Sequence, residues 1–157
     1  MNVEIVQLLV SPVHRFEGRP SDGAPIVEVP ELVDEVEIRA GRGIVGDRYF
    51  GERAHQDSAV TIMAAESLPP GADLTHTRRN ILLRGFDIDA HRGATITLDS
   101  GAGPVRFSVG RPANPCAWMD VTMGPGARDL LKGKGGMRTT PLTDGILRLG
   151  PVTLTVE

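Results

Sequence analysis

Short apolar runs separated by glycine- and proline-rich breaks make up this chain, and most of the runs carry the two-residue period of a half-buried strand. Residues 34–38 (DEVEI) and 95–99 (TITLD) alternate polar and apolar positions, so one face of each meets a core and the other meets water. Residues 3–10 (VEIVQLLV) form a mostly apolar run. Further strands are expected at 59–63 (AVTIM), 80–84 (NILLR), 105–109 (VRFSV), 146–149 (ILRL) and 152–156 (VTLTV), which are rich in β-branched residues and bounded by turn chemistry such as 100–104 (SGAGP). Helical signal is sparse: a short piece near 64–68 (AAESL) and a better one near 126–132 (GARDLLK) that runs into glycines.

Many short strands with few helices predict a mainly β architecture, a closed or partly open β-barrel with a few short peripheral helices, because closure removes the edges at which strands aggregate. Segment 11–33 contains Pro12, Pro20, Pro25 and Pro30 and reads as an extended excursion from one body rather than a linker. A single domain spanning 1–157 is expected, and a chain of 157 residues buries enough surface to need no staple.

Composition narrows the class. At 40% hydrophobic and 24% charged residues the chain is an ordinary globular one, and its net charge of −3 argues against a general nucleic-acid or anionic-membrane binder. No apolar run is long enough to span a bilayer, and Glu4 interrupts the N-terminal stretch where a signal peptide needs basic then purely apolar residues. The lone cysteine, Cys116, excludes an internal disulfide framework and fits a reducing compartment, so a cytoplasmic protein is expected. Apart from Lys132 and Lys134 every basic residue is arginine, and a planar guanidinium fork suits carboxylate and phosphate. Coding bias in a GC-rich genome is the better explanation of the total, so only the placement of particular arginines is informative.

Residues 41–46 (GRGIVG) satisfy the glycine spacing of a dinucleotide fingerprint, but the chain continues DRYFGERAHQDS, polar and glycine-interrupted, where such a loop must open an apolar helix. The segment is therefore read as a tight turn, after which Asp47 and Arg48 either brace the loop or present Arg48 to a ligand. Gly133-Lys134-Gly135-Gly136 lacks the phosphate-loop spacing. It is either an anion-binding nest of backbone amides or a helix end with Lys132 and Lys134 complementing the dipole. His14, His55, His76 and His91 show no metal-ligand spacing and read as surface or loop histidines. Cys116 follows Pro112 and Pro115, which hold its loop extended. It is either a small buried hydrophobe or a thiolate beside Arg111, fit for a soft metal or for sulfur chemistry.

In order, the early strand ending Val10-Ser11-Pro12, GRGIVGDRYFG at 41–51, AVTIMAAESL at 59–68, RRNILLRGFDIDAHRGATITL at 78–98, NPCAWMD at 114–120 and KGGMRTTPLTDGILRLG at 134–150 resemble the MOSC domain family. The family is named for the C-terminal part of molybdenum cofactor sulfurase, and the resemblance covers nearly the whole chain, as a small stand-alone bacterial-type member. It implies a β-barrel whose cysteine, Cys116, ligates molybdenum or carries sulfane sulfur. It further implies the molybdenum cofactor (molybdopterin) as a permanent or transient ligand, held by Arg48, Arg79, Asn80 and Arg138 with the backbone of Gly135 and Gly136. The chemistry is coherent: a thiolate suits a soft, sulfur-rich metal centre, and arginine forks and amides suit the pterin's phosphate. Partners implied are a pyridoxal-phosphate-dependent cysteine desulfurase as sulfur donor and an electron-transfer protein, with no nucleic acid and no membrane. Two other functions stand beside this one: a molybdenum-cofactor-dependent reductase of N-hydroxylated compounds, and a non-enzymatic barrel that binds a ligand or partner while Cys116 stays inert.

Overall fold

The computed structural model describes residues 2–13, 20 and 30–157; His14, Pro25 and most of the expected excursion lie outside the described residues. Among the described residues there are eleven strands: β1 (Val3–Leu9), β2 (Leu32–Val33), β3 (Glu35–Arg39), β4 (Gly43–Ile44), β5 (Val60–Ala64), β6 (Ile81–Arg84), β7 (Thr95–Asp99), β8 (Pro104–Pro112), β9 (Met137–Pro141), β10 (Gly145–Arg148) and β11 (Gly150–Val156). Three short helices accompany them: α1 (Leu74–Thr77), α2 (Trp118–Met123) and α3 (Ala127–Leu130). The strands follow in the order β11-β7-β8-β9-β5-β6-β1, and β1 pairs back onto β11 with Val3 opposite Val152, which closes a seven-stranded barrel. Every pairing in the barrel is antiparallel except β5 with β6. The small sheet β10-β3-β4 stands beside it.

Alternation along the strands builds the core. Ile5, Ile62, Leu83, Ile96, Phe107, Val109 and Met137, drawn from different staves, are at most 1% exposed and fill one cluster, which Val36, Ile38 and Ile44 of the small sheet extend. On β1, β5 and β6 the opposite phase is apolar too. Leu9, Met63 and Leu82 meet Leu74 of α1, Met119 of α2 and Ala127 of α3 in a second cluster. Strands buried on both faces read as continuous apolar runs, which is the pattern of residues 80–84. All eight expected strands are present within a residue or a few of their expected limits, and the helical pieces correspond to a 3-10 turn at Ala65–Ser67 and to α3. Strands β2, β4 and β9 and helices α1 and α2 carry too little local signal to have been expected. Among the described residues no helix is long and apolar enough to cross a membrane.

Candidate functional site

Where the second apolar cluster ends, the start of β6, the centre of β5, β9 and the loop before α2 leave a cleft of about 210 Å³. Its walls are Arg48, Tyr49, Ser58, Thr61, Arg78, Arg79, Ala113, Asn114, Cys116 and Arg138. Four guanidinium groups and one thiol therefore converge, with no carboxylate among the described lining residues.

Each arginine is positioned differently. Arg48 follows the turn at Gly46, and its side chain is 5% exposed. It donates to Asp47 Oδ1 at 3.0 Å and to the Arg78 carbonyl at 3.0 Å, and its guanidinium lies 4.6 Å above the Tyr49 ring. Asp47 Oδ1 also accepts the Ser11 amide at 3.1 Å, so the buried carboxylate is satisfied from two sides. Arg48 thus combines both roles that the sequence left open: it braces the loop and it lines the cleft.

Arg78 ends α1 in the left-handed conformation, at φ 65°, with its amide donating to the Leu74 carbonyl at 2.7 Å. That conformation costs a non-glycine residue about 1–2 kcal/mol. The Arg78 side chain offsets it by donating to Glu31 Oε1 at 2.7 Å and to the Val13 carbonyl at 3.2 Å. The next residue, Arg79, donates to three carbonyls, Gly135 and Ala113 at 2.8 Å and Thr77 at 2.9 Å. Burial pushes its pKa down to about 10. Negative charge on Cys116 opposes that shift, and the positive charges of Arg138 and Arg48 add to it. Arg79 remains a cation at neutral pH. The Arg138 side chain, projecting from β9 beside Thr61, makes no hydrogen bond or ion pair among the described residues.

Cys116 lies in an irregular stretch between β8 and α2, and its carbonyl accepts the Met119 amide at 2.9 Å, which opens the helix. The thiol is half-buried: it rests partly on the second apolar cluster and lines the cleft. Arg111, the expected neighbour, instead lines a separate depression with Asp57 and Thr140. The arginine whose charge couples to Cys116 is Arg79.

The remaining expected residues have structural partners. Asn80 is 1% exposed, accepts the Thr61 amide at 3.0 Å through Oδ1 and donates to the Leu9 carbonyl at 3.2 Å, stitching β6 between β5 and β1. The Gly135 carbonyl holds Arg79, and the Gly136 amide donates to Asp89 Oδ1 at 3.0 Å. Gly135 and Gly136 also lie where a side chain has no room. A Cβ on Gly135 would come within 2.2 Å of the Ala113 carbonyl oxygen, and one on Gly136 within 2.5 Å of that of Ile62. Asp89 lines a larger, more open depression of about 590 Å³ with Glu66, Asp87, Phe86 and Lys134, and burial raises its carboxyl pKa. The glycine pair separates that acidic depression from the basic cleft. His55 stacks on Tyr49, His76 accepts the Asp73 amide in the cap of α1, and His91 lies against Phe86. Among the described residues no three His, Cys, Asp or Glu side chains gather as a metal-ligating cluster.

Sequence reasoning did not find Arg78, Tyr49, Ser58, Thr61, Ala113 or Asn114 as cleft residues. The adjacent pair Arg78-Arg79 was the one local signal, since two consecutive arginines before a buried strand need partners.

No family model and no curated protein matches the chain. Solved structures share its fold. YuaD protein from Bacillus subtilis is similar with a TM-score of 0.70 at 16% identity, over 99% of this chain and 96% of that one. YiiM from Geobacillus stearothermophilus is similar with a TM-score of 0.62 at 18% identity, over 98% of this chain and 75% of that one. YiiM from Escherichia coli reaches a TM-score of 0.54 at 18% identity, over 97% and 69%. At these identities the likeness concerns the fold alone.

Proposed function

We propose that the cleft binds an anionic, sulfur-rich ligand, the molybdenum cofactor, with Cys116 as the protein thiolate that ligates the metal or carries sulfane sulfur to it. One observation supports this above the others: a reachable thiol among four arginines in a cleft with no carboxylate among its described lining residues. The donor set suits the group. A thiolate is a soft ligand, the described lining residues include no histidine or carboxylate, and arginine forks match a phosphate. When bound, the cofactor supplies a redox-active metal with exchangeable sulfur and oxygen ligands.

The chain's own residues do the rest. Arg138 and Arg79 hold the anionic end, Arg48 and Arg78 are fixed by Asp47 and Glu31 as walls, and Tyr49 and Thr61 flank the opening. The second apolar cluster keeps water from the back of the thiol. In the carrier role, a cysteine desulfurase supplies the sulfur and Cys116 holds it as a persulfide, a reversible cap.

The test is elemental analysis of protein made in a cofactor-producing host, together with the mass of the Cys116 peptide after exposure to a persulfidated desulfurase. Molybdenum or an added sulfur is expected in the wild type and in neither case in Cys116→Ser. Absence of both from the wild type overturns the proposal.

A further inference from the structure

The charges around the cleft do not cancel, and their surplus points to a particular kind of sulfur donor. Asp47 neutralises Arg48 and Glu31 pairs with Arg78. Arg79 gives three of its five N–H donors to carbonyls, which carry no net charge, and the Arg138 side chain has no partner among the described residues. Two uncompensated guanidinium charges therefore face the space beside Cys116, enough for one dianion. The space itself is small. Pockets that enclose a whole drug-sized ligand run to roughly 300–1,000 Å³, whereas this cleft holds about 210 Å³, room for one end of a larger ligand that projects from the opening or for a compact donor beside the thiol. A compact dianion with its own transferable sulfur satisfies charge and size together.

We infer that the cleft takes a thiosulfate-class donor, its oxyanion end held by Arg138 and Arg79 and its terminal sulfur turned to Cys116. The inference rests on the reading that Cys116 faces the ligand, and it names the donor for the carrier role. In the step, the Cys116 thiol gives its proton to water and the thiolate attacks the terminal sulfur of thiosulfate. A bond forms between Sγ and that sulfur. The bond between the terminal sulfur and the sulfonate sulfur breaks, and its electron pair leaves with sulfite. Thiol plus thiosulfate dianion yields persulfide anion plus hydrogen sulfite, so charge and atoms balance and no oxidant or reductant is consumed. The arginines accelerate this by holding the sulfonate oxygens, on which negative charge grows as sulfite departs. Thiolate attack on a sulfur depends on the quality of the leaving group, and sulfite held by guanidinium forks is a good one.

The experiment treats the full chain with sodium thiosulfate at neutral pH and measures sulfite release and the mass of the Cys116 peptide. One added sulfur per chain and one equivalent of sulfite are expected. Arg138→Ala should slow the reaction about 10- to 100-fold, the loss of a charge-assisted hydrogen bond to the leaving group, and Arg138→Lys should fall between. Labelling of Cys116 by uncharged iodoacetamide should change little in either variant, which reports an intact fold and an open cleft. If iodoacetamide labels the wild-type thiol while thiosulfate adds no sulfur, or if Arg138→Ala reacts with thiosulfate as fast as wild type, the inference is wrong. Loading of Cys116 by a persulfidated desulfurase but not by thiosulfate sinks this donor and leaves the carrier role standing. Failure of both donors, with no molybdenum retained, removes the proposed function as well.

Discussion

Gly135→Ala is the sharpest probe of how the cleft is held together, because it adds one methyl group at the point where two loops touch. The new Cβ would lie 2.2 Å from the Ala113 carbonyl oxygen, where real side-chain carbons stop at about 3.0 Å, so about 0.8 Å of separation has to be found by moving backbone. That carbonyl accepts from Arg79 at 2.8 Å, and the Gly135 carbonyl accepts from the same guanidinium. A shift of this size takes one of the two bonds out of the 2.7–3.2 Å range in which such bonds are strong. Overpacking of this kind costs about 1–3 kcal/mol, and the displaced loop carries Cys116. Urea unfolding should therefore show a lowered midpoint, and iodoacetamide labelling of Cys116 in the folded state should change rate. Gly133→Ala is the control: its φ of 74° makes alanine strained, at about 1–2 kcal/mol, but nothing lies within 4 Å of the added carbon. It should lose comparable stability with the labelling rate unaltered. A Gly135→Ala protein as stable as wild type, with the same labelling rate, would refute the packing argument.

Other perturbations test other links. Removing the buried carboxylate in Asp47→Ala leaves Arg48 and the Ser11 amide without it and should destabilise the protein by about 3–5 kcal/mol. Asp47→Asn, which keeps an acceptor for Ser11, should cost less; both are read from denaturant unfolding. Burial raises the Asp89 pKa above its usual value of 3.8, so the folded state holds this proton more tightly than the unfolded chain does. Its stabilising contribution is then complete below the ordinary carboxylate pKa and is lost as pH rises through the folded value. Asp89→Asn, which keeps the acceptor for Gly136, should match wild type at low pH and exceed it at neutral pH in unfolding measured across pH; a constant difference would contradict this. Because burial pushes the Arg79 pKa down to about 10, sulfate binding to Cys116→Ser should weaken as pH passes about 10, as followed by calorimetry. Binding unchanged to higher pH would show that Arg79 does not hold the anion.

By itself the sequence determined the staves. Eight strands were legible because period-two burial is a local property: each inward residue faces the core whatever its partner strand is. The barrel class followed from their number; Cys116 and Arg48 stood out as candidates from the residues, while Arg79 and Arg138 became candidates only through the family resemblance. Strand β9 was not, because its inward positions are Met137, Thr139 and Pro141, and Thr139 stays buried by donating to the Val60 carbonyl at 2.7 Å, a bond that exists only once β5 lies alongside. Helix α1 has His76 where a capping box usually has an acidic or amide side chain, and α2 starts two residues after Cys116, beyond prolines that argue against helix. Tertiary structure alone decided which polar residues brace and which remain available. Arg79 is tied to carbonyls 34 and 56 positions away, Asn80 is consumed by the Leu9 carbonyl 71 positions away, and Arg111 faces a different surface from Cys116. Hydrogen-bond satisfaction is a property of what meets in space, and chain spacing carries almost no information about it.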